Sequence, residues 1–199
     1  MLRRLIARCF LGLARWKAEG TPPEEARYVL VGAPHTSGWD LAYLLAITAV
    51  FNVKPSWMGK EALFATPLGW LLRWLGGIPV VRDGKENVVA QMSRAFEERE
   101  SMVLTVAPEG TRKGTTHWKS GFYHIARSAG VPIVLGYLDA AGRRGGFGPA
   151  IRPTGDIRRD MDEIRSFYSD KVGRHTEKFG AIRLLEESDD SRHQSIDVQ

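Results

Sequence analysis

A single cysteine, Cys9, stands in 199 residues. It excludes an intrachain disulfide framework and any cysteine-rich metal site, and it suits a reducing compartment. Long hydrophobic runs are also missing. Arg, Gly or Pro breaks each apolar stretch well short of the ~20 residues that a membrane span needs, so a conventional spanning helix is ruled out. Neither a Gly-x-Gly-x-x-Gly fingerprint nor a Walker A sequence occurs, which weakens dinucleotide and nucleoside-triphosphate readings. No Gly-x-Ser-x-Gly elbow surrounds any serine. His117, His124 and His175 have no metal-ligand spacing with nearby acids, and no metal is expected.

Acidic residues are absent from the first 18 positions, which carry Arg3, Arg4, Arg8, Arg15 and Lys17. Those five charges equal the net excess of +5, and the remainder is balanced. A nucleic-acid binder would spread positive charge over a wider face, so none is expected as partner. At helical spacing Leu2, Leu5, Ile6, Cys9, Phe10, Leu13 and Trp16 share one side, while Arg4, Arg8 and Arg15 lie opposite. Such a helix, roughly 24 Å long, suits a membrane interface with arginines toward anionic headgroups. The alternative is a helix packed on the domain with its arginines in water. Thr21-Pro22-Pro23 ends the segment. The organisation expected is a membrane-contacting helix over 1–20, one catalytic domain over 21–185 and a loose polar tail over 186–199.

Through the body, apolar strand-like runs alternate with helical ones. Strands are expected near 28–31, 56–59, 78–81, 102–106 and 132–138. Helices are expected near 39–51, 68–75, 87–100, 122–129 and 160–171, with a glycine-rich loop or hairpin at 141–149. This predicts a single α/β domain with a largely parallel or mixed central sheet and flanking helices.

Three loops after strands hold the chemistry. His35 and Asp40 follow the first strand in Pro34-His35-Thr36-Ser37-Gly38-Trp39-Asp40. A turn there brings a carboxylate onto one imidazole nitrogen and leaves the other to accept a proton. The bland alternative is a structural histidine and a helix cap. No protein nucleophile accompanies the pair, so a substrate hydroxyl is expected in that role. Glu109-Gly110-Thr111-Arg112-Lys113 follows a second strand, with Glu109 able to hold Arg112. Arg82 follows a third, and Lys60 sits at a comparable strand end. These cations suggest an anionic ligand, a phosphate above all, against ordinary surface pairing. Trp57, Phe64, Trp70, Leu71 and Trp74 make an apolar aromatic region, read either as core or as a channel for an alkyl chain.

Taken together these blocks resemble the glycerolipid acyltransferase family, which includes the 1-acyl-sn-glycerol-3-phosphate acyltransferases. His35-Thr36-Ser37-Gly38-Trp39-Asp40 matches its His-x4-Asp block and Pro108-Glu109-Gly110-Thr111-Arg112 its Glu-Gly-Thr-Arg block. Gly77-Ile78-Pro79-Val80-Val81-Arg82-Asp83 and Val131-Pro132-Ile133-Val134 resemble the other two, and Lys60-Glu61 with Pro67-Leu68-Gly69 is also similar. The likeness runs in order through residues 28–139. The chain departs from it at Pro34, Ala107 and Lys113.

The resemblance implies that His35 is a general base oriented by Asp40. It implies that Arg82, Glu109, Gly110, Thr111, Arg112 and Lys60 bind substrate. The reaction implied moves a fatty acyl group from acyl-CoA or acyl carrier protein to a hydroxyl of a lysophospholipid-like acceptor. No acyl-enzyme and no cofactor are implied beyond the thioester donor. The protein is then peripheral on the cytoplasmic side of an anionic membrane. Rival readings are a non-glycerophosphate acceptor such as a lyso-aminolipid or glycolipid, a thioester hydrolase, and a noncatalytic membrane-binding protein.

Overall fold

The computed structural model describes residues 1–81 and 87–187. Its centre is a seven-stranded mixed sheet of order β1-β7-β6-β2-β5-β3-β4. The strands are β1 Lys17–Glu19, β2 Arg27–Ala33, β3 Pro55–Lys60, β4 Gly77–Val80, β5 Met102–Val106, β6 Ile133–Asp139 and β7 Arg144–Ile151. The five strands β2 to β6 run parallel, as expected for buried runs such as Tyr28-Val29-Leu30-Val31. β7 turns back antiparallel on β6, and β1 lies parallel to β7 at the edge.

Helices cover both faces. α1 (Leu2–Leu13) and α2 (Asp40–Val50) pack together on one side, and α3 (Glu61–Phe64) and α4 (Gly69–Trp74) follow β3. α5 (Val88–Glu97), α6 (Gly121–Ala129) and α7 (Ile157–Tyr168) cover the other. The period-two geometry of β2 divides the core between them. Val29, Val31 and Ala33 join Phe96, Phe122 and Tyr168, whereas Tyr28 and Leu30 join Phe147 and Leu44. α6 stops where Gly130 takes a left-handed conformation at φ 64°.

One alternative is resolved and one expectation changes. The segment read as a loop or hairpin at 141–149 is the hairpin, not the loop: β7 returns antiparallel on β6 after a short turn. Its glycines serve close packing: a Cβ on Gly148 would lie 2.3 Å from the Phe167 ring. The N-terminal helix is also shorter than its apolar stripe. It ends at Leu13, Arg15 takes φ 57°, and the chain enters β1. Trp16 therefore leaves the stripe and stacks on Tyr43 with ring centroids 4.0 Å apart. α1 itself docks through Ala7 and Leu11, while Leu2, Leu5, Ile6 and Leu13 stay exposed. Glu187, placed by sequence in a loose tail, is anchored by Arg165 at 2.6 Å.

Because Trp16 is a core residue, Trp16→Ala is expected to cost about 3 kcal/mol of stability in urea unfolding. A loss below about 1 kcal/mol, the range of surface substitutions, would return it to the surface helix.

Candidate active site

The loops that follow parallel strands β2 and β5 meet at the centre of the sheet. The chain leaves β2 for β3 on one side, and later passes from β5 to β6 on the other, so this is a topological switch point. The β2 loop carries His35. Asp40 opens α2 five residues on, and its Oδ2 accepts the backbone N–H groups of Thr36 and Ser37, both at 2.8 Å. The same oxygen lies 3.4 Å from His35 Nδ1. Asp40 thus braces the loop before α2 and faces the imidazole at once, and it does not cap the helix, whose N-cap position is Trp39. The distance is longer than a tight charge-assisted bond, a common state of catalytic pairs before substrate arrives. The hydroxyls of this loop are engaged: Thr36 Oγ1 accepts the His175 N–H and Ser37 Oγ accepts the Trp39 N–H. Cys9 is on the exposed side of α1. Among the described residues no serine, threonine or cysteine side chain is hydrogen-bonded to the His35 ring, whose one side-chain partner is Asp40.

His35 lines a groove of about 830 Å³, within the size range of small-molecule sites. Its lining includes Leu41, Leu44 and Leu45 of α2, Leu30 of β2, and Trp57 and Met58 of β3. The aromatic region at 57–75 is therefore split. Trp57 lines the groove, Phe64 is buried, and Trp70 and Trp74 are exposed at 69% and 77%.

The β5 loop supplies Gly110, Thr111, Arg112 and Lys113 to the rim. Gly110 needs its missing side chain: φ is 67°, and a Cβ would lie 2.8 Å from Lys119 Cε. A Cβ on Gly38 would lie 3.0 Å from Arg112 Nη1, so the guanidinium rests over the turn between His35 and Asp40. Lys60 does not line the groove. It is exposed and stands just before α3, apart from the residues that line the groove. Arg82 lies outside the described residues. Sequence reasoning passed over His175 and Lys178, which join the lining from a distant segment. No local signal linked them to the motifs.

Glu109 has a different place from the one expected. It neither lines the groove nor holds Arg112. It is 1% exposed, and its Oε1 accepts the His35 backbone N–H at 2.6 Å. Its other oxygen has no hydrogen-bond partner among the described residues. Burial pushes its carboxyl from 4.5 up to about 6, opposed in part by the His35 N–H. The folded chain thus holds this proton more tightly than the unfolded chain. The contribution to stability is full below pH 4.5 and is lost as pH rises through about 6. Glu109→Gln keeps an acceptor for the N–H and removes the buried charge. Wild type is expected to lose about 1–2 kcal/mol relative to the variant across that window, read from urea unfolding at stepped pH. Parallel pH curves would contradict the assignment.

Comparison with known proteins follows the same geometry. The family model described as Acyltransferase matches residues 17–135, from β1 into β6. The 1-acyl-sn-glycerol-3-phosphate acyltransferase of Haemophilus influenzae is 30% identical over 118 residues, covering 55% of this chain and 46% of the relative. The enzyme of that name from Escherichia coli is 31% identical over 111 residues, covering 51% and 43%. The chain spans about half the length of the curated relatives it matches. The crystal structure of the 1-acyl-sn-glycerophosphate (LPA) acyltransferase PlsC from Thermotoga maritima superposes with a TM-score of 0.57 at 16% identity. That match covers 86% of this chain and 80% of the other, and it supports the fold. With both motif loops inside the matched span, the chain belongs to the Acyltransferase family.

Proposed function

We propose that this chain is an O-acyltransferase that moves a fatty acyl group from acyl-CoA or acyl carrier protein to a hydroxyl of a lysophospholipid-like acceptor. One observation carries the reading: a His–Asp pair, with no hydroxyl or thiol bonded to the imidazole among the described residues, in the lining of a largely apolar groove. His35 takes the proton of the acceptor hydroxyl through the ring nitrogen turned away from Asp40. The oxygen attacks the thioester carbonyl carbon, and the tetrahedral intermediate collapses with cleavage of the C–S bond. The proton held on His35 passes to the departing thiolate, so an ester and a free thiol result. Asp40, fixed by two backbone donors, stabilises the imidazolium between these transfers. The groove walls take the alkyl chain, while Arg112 and Lys113 face an anionic headgroup. Arg82 is proposed as a further headgroup contact on its motif alone.

The reading also places the chain on a membrane surface, on the cytoplasmic side where acyl thioesters are found. No described helix is long and apolar enough to cross a membrane. The support is the outward face of α1, where Leu2, Leu5, Ile6 and Leu13 are exposed, with Leu13 at 89%. Arg4 and Arg8 are exposed on the same helix and complement anionic headgroups at about 1 kcal/mol each. Trp70, Trp74 and Leu68 give a second exposed aromatic and apolar surface.

Two measurements test this proposal. His35→Ala is expected to lose about 10²–10⁴-fold in turnover with labelled acyl thioesters and a lysolipid panel. Asp40→Asn should also lose rate. Near-normal transfer by folded His35→Ala would overturn the assignment. For the membrane, the double variant Leu5→Glu, Ile6→Glu leaves Trp16 and β1 in place, as deletion of the segment would not. It is expected to cosediment with anionic vesicles several-fold less than wild type, and equal cosedimentation would contradict a membrane role for α1.

A further inference from the structure

Beyond the family-matched span, the chain returns across the site. After α7, the Val172 carbonyl accepts the Ala140 N–H at 2.8 Å, and the His175 N–H reaches Thr36 Oγ1 at 3.2 Å. A Cβ on Gly173 would lie 2.9 Å from Thr36 Cγ2, so the backbone rests directly on the His35 loop. Farther on, Gly180 sits so close to Thr115 that a Cβ would meet its carbonyl oxygen at 1.7 Å. The Trp118 N–H then bonds the Arg183 carbonyl at 2.8 Å, and Leu184 bridges to Trp118. Residues 172–184 are therefore a strap held at one end by the β2 and β6 loops and at the other by the β5 loop.

Between these anchors, His175 and Lys178 turn into the lining of the groove that His35 and Arg112 share. The backbone of Lys178 passes the Gly114 position at 3.6–3.7 Å, which places it beside Lys113. Arg112, Lys113 and Lys178 have no carboxylate within ion-pair distance among the described residues. His175 has only the exposed Glu177, at 3.7 Å. Surface cations usually have little need of a partner. The three line one groove with no counter-charge among the described residues, which leaves a positive lining that favours an anion.

We infer that the strap adds a phosphate subsite to the rim of the groove, carried by Lys178 with His175 beside it. The inference rests on the acyl-transfer reading for its ligand class. Both substrates of that reaction bring phosphates: the acceptor in its headgroup, the donor in its phosphopantetheine arm. Lys113 and Lys178 meet such a group from two separate chain segments, so its binding also holds the strap against the β5 loop.

Isothermal titration of the full chain tests the subsite without turnover. The probes are coenzyme A against phosphate-free pantetheine, and a short-chain lysophosphatidic acid against the matching monoacylglycerol. Lys178→Gln is expected to weaken at least one phosphate-bearing probe about tenfold, with its phosphate-free counterpart unmoved and Lys178→Arg close to wild type. The probe affected identifies the source, donor arm or acceptor headgroup. Circular dichroism and thermal unfolding check that the variants fold, which the half-exposed, unpartnered Lys178 allows. Unchanged affinity for both phosphate probes would overturn the subsite, as would a wild type that binds neither better than its phosphate-free counterpart. A chain that binds phosphate through Lys178 yet transfers no acyl group keeps the subsite and loses the reaction.

Discussion

The bond from the His35 backbone N–H to the buried Glu109 carboxylate ties the two halves of the site together. One end belongs to the loop after β2 and the other to the loop after β5, neighbouring parallel strands. With His35 held there, the chain turns through Ser37-Gly38, and Asp40 collects the Thr36 and Ser37 N–H groups. The imidazole has Asp40 on one flank and the groove on the other. The β5 loop is fixed by the same bond, which keeps Arg112 over Gly38. Burying a carboxylate so fully is unfavourable, and the raised pKa of Glu109 records that cost.

This arrangement explains how much of the site could be read from sequence. His35 and Asp40 lie five positions apart and meet through one turn, so local spacing was sufficient. The ends of β2 and β5 were legible too, because their apolar runs stop just before Pro34 and Pro108. The role of Glu109 was not legible. Arg112 stands three residues away in sequence and offers an obvious charge partner, yet the carboxylate finds a backbone donor 74 residues distant. Lys60 lies outside the groove lining, because the end of a parallel strand fixes position along the sheet but not which way a flexible side chain extends. At β7 sequence does not by itself decide between loop and hairpin, because glycine signals a turn as readily as it admits a neighbour's ring.

At the two ends of the chain, local pattern gave incomplete answers. The apolar stripe of residues 2–16 reads as one helix, but the structure divides it by function. Trp16 packs into the domain, whereas Leu2, Leu5, Ile6 and Leu13 keep the stripe outward. The segment is thus a docked helix with an apolar face left over. Residues 172–184 have no strong periodicity and gave no signal at all. Their fit on Thr36, Thr115 and Trp118 depends on contacts 60–140 positions away, through glycines whose small size matters only once the loops are in place.

The central claim is that a substrate hydroxyl, activated by His35, takes the acyl group in one direct displacement. The most direct test follows thiol release and lipid products together by mass spectrometry, with intact-protein mass recorded during turnover. The account predicts that thiol release depends on the acceptor, matches acylated product one for one, and leaves the protein mass unchanged. Acceptor-independent thiol release with equal free fatty acid, or a protein carrying an acyl group, would contradict it.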